Sequence, residues 1–268
     1  MNVQEVIDAV IEDSCGSVRL EKTSDQLVCG DPDMQVSGVV TTFMATVDVI
    51  KQTIEVGANL IITHEPTFYT GKDKLDWLQD DPLYLAKQKL IEEADLAIWR
   101  YHDYMHMAKP DRIYEGLIKE IGWENNLLEK ESQFCYQINQ TTLRELANFF
   151  KERLDMDAVR IVGNPDMLCS KVGILVGGGS LGLGREQMPM ELMRSEDLDV
   201  MICGEITEWT LTAYVNDASM LGMNKGMLII GHERSEAWGM KYMAKWLKPL
   251  VDGLPTTFLD AKEPFLYL

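Results

Sequence analysis

Short apolar runs alternate with amphipathic stretches along most of this chain. Residues 1–16 predict a helix with Val3, Val6, Ile7, Val10 and Ile11 on one face. Residues 36–43 are apolar and β-branched and predict a strand. Thr46 then offers a capping oxygen to a helix that carries Val47, Ile50 and Ile54 on one face and stops at Gly57. Leu60, Ile61 and Ile62 predict a second buried strand. A loop of about 15 residues follows, long enough for a lid or a binding loop. Asp81 followed by Pro82 opens a helix that runs to about Glu93, because proline suits the first helical position. Residues 96–99 predict a third strand, and 111–121 a helix that buries Ile113, Leu117, Ile118 and Ile121.

The pattern resumes after a polar stretch at 122–140, which is expected to link two domains. Thr142 and Glu145 form a capping box that opens a helix through Leu154. Strands are expected at 159–162, 172–176, 200–203, 227–230 and 256–259, with helices near 206–218 and 235–247. Strands that alternate with helices imply parallel pairing through right-handed crossovers. Continuous apolar strands also fit a parallel sheet covered on both faces. The expected fold is α/β: an N-terminal half over 1–125 and a C-terminal half over 126–268, each a mostly parallel sheet flanked by helices.

Composition narrows the function. A chain of 268 residues suits one large or two medium domains. A formal charge of −18 disfavours nucleic acid and anionic membranes as general partners. It leaves room for an anionic small-molecule substrate, because a bound cation reverses the local field. No apolar run approaches the ~20 residues of a membrane span, and residues 1–16 lack the features of a signal peptide. Five scattered cysteines without CxxC spacing fit reduced core thiols in a cytoplasmic protein. The 16 methionines sit mostly among Leu, Val and Ile and read as core.

Against this background the four histidines stand out. His64 follows the strand at 60–62, His102 and His106 follow the strand at 96–99, and His232 follows the strand at 227–230. Ligands of open α/β sheets bind beyond such carboxyl ends. His232 and Glu236 are four apart where a helix begins, His102 and His106 have the same spacing, and Glu65 adjoins His64. Imidazole and carboxylate together suit zinc, manganese, iron or nickel. Three or four histidines with two glutamates exceed the needs of one tetrahedral ion, so two divalent ions are expected, acting as a hydrolytic pair. Spacing alone leaves Asp103 and His106 as competing ligands. The glycine turn at 177–182 offers rival readings. It fits the dinucleotide pattern GxGxxG, with Glu205 as a ribose partner. It also fits a nucleophile elbow, with Ser180, Glu205 and His232 in serine-hydrolase order. The plainest reading is a βα turn that needs positive φ.

The stretch Gly57 to Pro66, the cluster 102–106 and Gly231-His-Glu-Arg-Ser-Glu236 resemble the Nif-three-like family, whose members are often called GTP cyclohydrolase I type 2-like. The resemblance extends to Gly30-Asp31-Pro32, to 162–165, to the turn at 177–179 and to Gly204-Glu205. It implies two similar α/β domains, a dinuclear metal centre in the cleft between them, and a ring-shaped homohexamer. Where the family has His-His-Pro this chain has His64-Glu65-Pro66, and where it has His-Thr-x-x-Asp this chain has His102 to His106. One histidine has become an acid and one acid a histidine, so the ligand count and charge survive. By resemblance the metal ligands are His64, Glu65, His106, His232 and Glu236, with His102 as the catalytic acid or base. Met44 and Trp209 stand where the family tends to carry an aspartate and a histidine. The expected function is metal-dependent hydrolysis of a phosphate ester or nucleotide-like substrate by a metal-bridging hydroxide. The competing class is a non-enzymatic metal-binding or scaffold protein.

Overall fold

Nearly every short apolar run becomes a buried strand in the computed structural model, which describes residues 1–128 and 133–268. Two units result, Met1–Gly116 with Ala237–Ala261, and Leu117–Glu236 with Lys262–Leu268. The first holds α1 (Val3–Cys15), β1 (Gln26–Cys29), β2 (Val39–Thr42), α2 (Val47–Glu55) and β3 (Leu60–Thr63), followed by α3 (Pro82–Glu93), β4 (Ala97–Arg100) and α4 (Asp103–Met107). Helix α5 (Arg112–Ile121) begins at the end of its first segment and is completed by residues of the second unit. The second unit holds β5 (Cys135–Thr142), α6 (Leu143–Arg153), β6 (Arg160–Val162), β7 (Leu168–Leu175), α7 (Met188–Ser195), β8 (Val200–Cys203), α8 (Ala213–Met220) and β9 (Gly226–Ile229). Helix α9 (His232–Trp246) begins there. Strand β10 (Thr256–Phe258) falls in the half expected over 126–268 but pairs with β2.

The first sheet has the order β1-β4-β3-β2-β10. Its β4, β3, β2 and β10 are parallel, and β1 is an antiparallel edge. The second sheet has the order β5-β7-β8-β9-β6, with three parallel central strands and an antiparallel strand at each edge. The interior strands β2, β3, β4, β8 and β9 are buried at every residue. That is why they were legible as apolar runs.

The differences from the expected elements lie at the edges. Strand β5 occupies part of the polar stretch expected as a linker, with Gln137, Asn139 and Gln140 in an edge strand that needs little apolar character. Residues 129–132 of that stretch lie outside the described residues. Helix α9 starts at His232, three residues earlier than expected. The segment expected as one helix over 206–218 is a π-helical turn, Glu208–Thr212, followed by α8. The capping readings hold: Thr46, Asp81 and Thr142 each accept backbone N–H bonds with their side chains, and Pro82 opens α3. All five cysteines are free thiols. Burial pushes those of Cys29 and Cys169 up to about 11, so they stay protonated. No helix among the described residues is long and apolar enough to cross a membrane.

The loop expected after His64 spans residues 64–81 and is pinned by buried charges. Lys87 of α3 donates from Nζ to the carbonyl of Thr67 at 2.7 Å and lies over the rings of Phe68 and Tyr69. Burial pulls its amine down to about 8, against the opposing field of Asp73. A base whose folded pKa is lowered binds fewer protons folded than unfolded between the two values. The Lys87 contribution to stability therefore rises with pH, starting near 8. Between pH 7 and 9 the wild type should gain about 1 kcal/mol relative to Lys87→Met. Urea titrations of both proteins at the two pH values measure this. Parallel curves would remove the buried ammonium from the account.

Candidate metal-binding sites

In the first unit the parallel strands β3 and β4 end side by side, with Thr63 opposite Arg100. The residues just beyond them therefore start as neighbours. His64 is fully buried. The ring of His102 stacks on it at 4.5 Å between centroids, and the ring of His106 stands edge-on to both at 5.1 and 5.0 Å. Helix α4 causes the last pairing: His102 stands at its first end and His106 lies one turn on, on the same face. Among the described residues His64, His102 and His106 form a group whose ligand atoms all lie within 4.8 Å of one another.

Each ring is oriented through its Nδ1. His64 Nδ1 lies 3.2 Å from the carbonyl oxygen of Tyr101, His102 Nδ1 lies 2.9 Å from Asp103 Oδ1, and His106 Nδ1 lies 2.9 Å from Asp111 Oδ2. An oxygen acceptor at Nδ1 places the proton there and leaves the lone pair on Nε2. Such outer partners set the tautomer and raise the basicity of metal-ligating histidines. Burial, together with the neighbouring His64 and His106, lowers the His102 pKa to about 4, although Glu65 and Asp103 pull the other way. Its ring is thus neutral near pH 7, which suits a ligand better than a proton donor. The geometry places His102 among the ligand candidates, not only in the acid–base role expected for it.

Asp103 and His106, the two ligands that spacing left open, differ in their surroundings. Asp103 accepts bonds from the Ser24 N–H, the Ser24 and Thr23 hydroxyls and His102. Burial opposes its ionisation, yet these bonds hold its carboxyl well below the usual carboxylate range. Its oxygens are committed, and it acts as the orienter of His102. Asp25, whose sequence gave no signal, accepts the backbone N–H groups of His102, Asp103 and Tyr104 and so anchors the start of α4. Arg100, also missed, donates to the carbonyls of His64 and Gly71 and to Glu65 Oε2 at 3.2, 2.7 and 3.2 Å. Glu65 Oε1 then lies 3.6 Å from His102 Nε2.

In the second unit the same logic recurs. His232 Nδ1 lies 2.9 Å from Glu205 Oε1, and its Nε2 lies 2.9 Å from Glu236 Oε2 one helical turn on. With the Nδ1 proton held by Glu205, Nε2 and Glu236 are two acceptors aimed at one point. Such a pair repels unless a proton or a metal ion lies between. Gly177 makes room for them: its φ is 47°, and an added Cβ would fall 2.7 Å from His232 Nε2 and against the Glu236 carboxylate. The plain βα-turn reading of the glycine string is therefore the one the structure bears out. The serine-hydrolase arrangement is not formed. Ser180 is buried with its hydroxyl bonded to the carbonyls of Gly177 and Glu205, and both ring nitrogens of His232 face carboxylates.

The sequence profile of the Duf34/NIF3 (NGG1p interacting factor 3) family matches residues 1–264. The chain belongs to this family. Relatives that the chain matches carry the name GTP cyclohydrolase 1 type 2 homolog. One, from Clostridium acetobutylicum, is 26% identical over 232 residues, covering 83% of this chain and 80% of the relative. The other, from Clostridium perfringens, is 23% identical over 282 residues, covering both chains fully. The fold matches that of a Bacillus cereus protein related to NIF3, with a TM-score of 0.75 and 17% identity over 100% of this chain and 99% of the other. It also matches Staphylococcus aureus protein SA1388, with a TM-score of 0.74 and 19% identity over the same shares. The expected family and fold class are thus borne out, and the chain carries His and Glu groups that could hold a metal ion.

Proposed function

We propose that this NIF3-family protein is a metal-dependent hydrolase of a small anionic substrate, a phosphate ester or a nucleotide-like molecule. His64, Glu65 and His106 in the first unit and His232 and Glu236 in the second are the proposed ligands of two divalent ions, with His102 beside them. The observation that carries the reading is the shared orientation of all four histidines, each with Nδ1 facing an oxygen, which leaves the lone pair on Nε2. Divalent ions bound there would supply water activation and polarisation of the scissile bond. The residues bind and orient the ions, and the ions offset a chain charge of −18 that would otherwise repel an anion. The names of the relatives agree with hydrolytic chemistry on nucleotide-like molecules. A homohexamer is the proposed assembly, checked by light scattering.

Elemental analysis of protein prepared with ample zinc, manganese, iron or nickel tests the metal reading. Wild type should carry close to two equivalents, and the His64→Ala/His232→Ala double variant well under one. Less than one equivalent in wild type sinks the dinuclear proposal. Turnover of phosphoesterase and amidase panels by the loaded protein then separates an enzyme from a metal-storage or scaffold protein. Metal without any turnover would favour the latter.

A further inference from the structure

The first unit also carries an open cavity of about 350 Å³ that none of the proposed ligands lines. Its size falls within the range of small-molecule sites. Val28, Cys29 and Gly30 form one wall, Phe68 and Leu75 from the 64–81 loop a second, and Tyr84, Gln88, Ile91 and Glu92 of α3 a third, with Asp95 and Leu96 closing the end.

Several local departures from regular structure build it. Adjacent strand residues normally face opposite sides of a sheet. The register of β1 against β4 shifts between Leu27 and Cys29, and this irregularity lets both Val28 and Cys29 line the cavity. Gly30 follows at φ 95°, so close to β4 that an added Cβ would fall 2.6 Å from the Cα of Ala97. Asp95 adopts a left-handed φ of 48°, a conformation that aspartate tolerates better than most residues. The floor is apolar: Phe68 and Tyr84 meet edge to face at 5.1 Å, and Ile91 and Leu96 are buried. The mouth is anionic. Glu92 accepts a bond from Gln88, and neither Glu92 nor Asp95 has an ion-pair partner among the described residues. Lys87, the nearest buried cation, is turned to the Thr67 carbonyl and is not among the cavity's lining residues.

We propose that this cavity binds a small organic cation, an ammonium group on an aromatic or similar apolar body. The ammonium lies at Glu92 and Asp95, and the body lies against Phe68, Leu75 and Ile91. Unpaired carboxylates at the mouth of an apolar cavity favour a cationic end over a neutral or anionic one. The proposal is independent of the metal reading.

Titration of the full-length protein with phenethylamine, phenethyl alcohol and phenylacetate, followed by calorimetry and ligand-observed NMR, tests it. Phenethylamine should bind at least about tenfold tighter than the alcohol, and phenylacetate should not compete. Glu92→Gln/Asp95→Asn should abolish the preference for the amine. Leu75→Trp should fill the cavity and block all three probes. Metal content is read in parallel, and neither variant should change it. Equal binding of amine and alcohol, no binding at millimolar probe, or full binding by the carboxylate variant overturns the proposal. The carboxylate variant alters only exposed side chains, so it remains decisive even if Leu75→Trp does not fold.

Discussion

Replacing Asp111 by asparagine is expected to weaken metal binding in the first unit by about 10- to 100-fold while the chain stays folded. The carboxylate has two jobs. Oδ2 lies 2.9 Å from His106 Nδ1, and Oδ1 accepts the N–H groups of Ile113 and Tyr114 at the start of α5. Asparagine can keep one job only. If its carbonyl still caps α5, its amide faces His106 as a donor. The ring must then hold its lone pair at Nδ1 and its proton at Nε2, the wrong tautomer for a ligand. If the amide flips, two donors meet the helix N–H groups and the cap is lost, at about 1 kcal/mol. Competition with a chromophoric chelator measures the affinity, and a thermal melt of metal-free protein measures the cap. Glu205→Gln repeats the experiment on His232 in the second unit. Glu205 is more exposed than Asp111, so its effect should fall on metal affinity with little cost in stability. Affinities within twofold of wild type for both folded variants would mean that the Nδ1 partners do not set the ligand tautomer.

The parts that were legible in the sequence are those where one physical demand dominates. Buried central strands such as Leu60–Thr63 and Val200–Cys203 announce themselves because every position is apolar or β-branched. Thr46, Asp81 and Thr142 announce helix starts because unpaired N–H groups require a short polar side chain. The histidines were legible because a scarce residue type recurs at strand ends. What stayed hidden depends on partners distant in sequence. Asp25 anchors residues 102–104 and Ser24 saturates Asp103, and neither pairing has a spacing rule. Spacing therefore could not choose between Asp103 and His106. The edge strands β1 and β5 were hidden for another reason. Strand β5 carries too few apolar residues to stand apart from a loop, and β1 is only four residues long with none of them fully buried. Helix α4 is only five residues long, too short for periodicity to show, yet it pairs His102 with His106.

Arg100→Met should destabilise the protein by about 3–5 kcal/mol, the largest loss expected from a single side chain near the ligand residues. Arg100 is 4% exposed, and its three donors engage the carbonyls of His64 and Gly71 and the carboxylate of Glu65. Methionine fills much of the volume and supplies none of these bonds. Two carbonyls lose a charged donor, and the Glu65 carboxylate, 15% exposed, loses its nearest positive charge. The damage should not stop at stability. Arg100 ties the first residue after β3 to the loop at Gly71, and its field also opposes the burial that raises the Asp73 carboxyl. Asp73 in turn holds the N–H of Phe68 at 2.5 Å. Loss of the guanidinium should therefore loosen residues 64–73 as a group, and with them the orientation of Glu65. Arg100→Lys separates charge from geometry. A single ammonium can serve the carboxylate or a carbonyl but not all three acceptors, so it should recover less than half of the loss. Urea denaturation of the metal-free proteins measures stability, and hydrogen exchange across 64–73 measures the loop. A loss below about 1 kcal/mol for Arg100→Met, with exchange unchanged, would show that β3 and β4 hold this loop without the arginine.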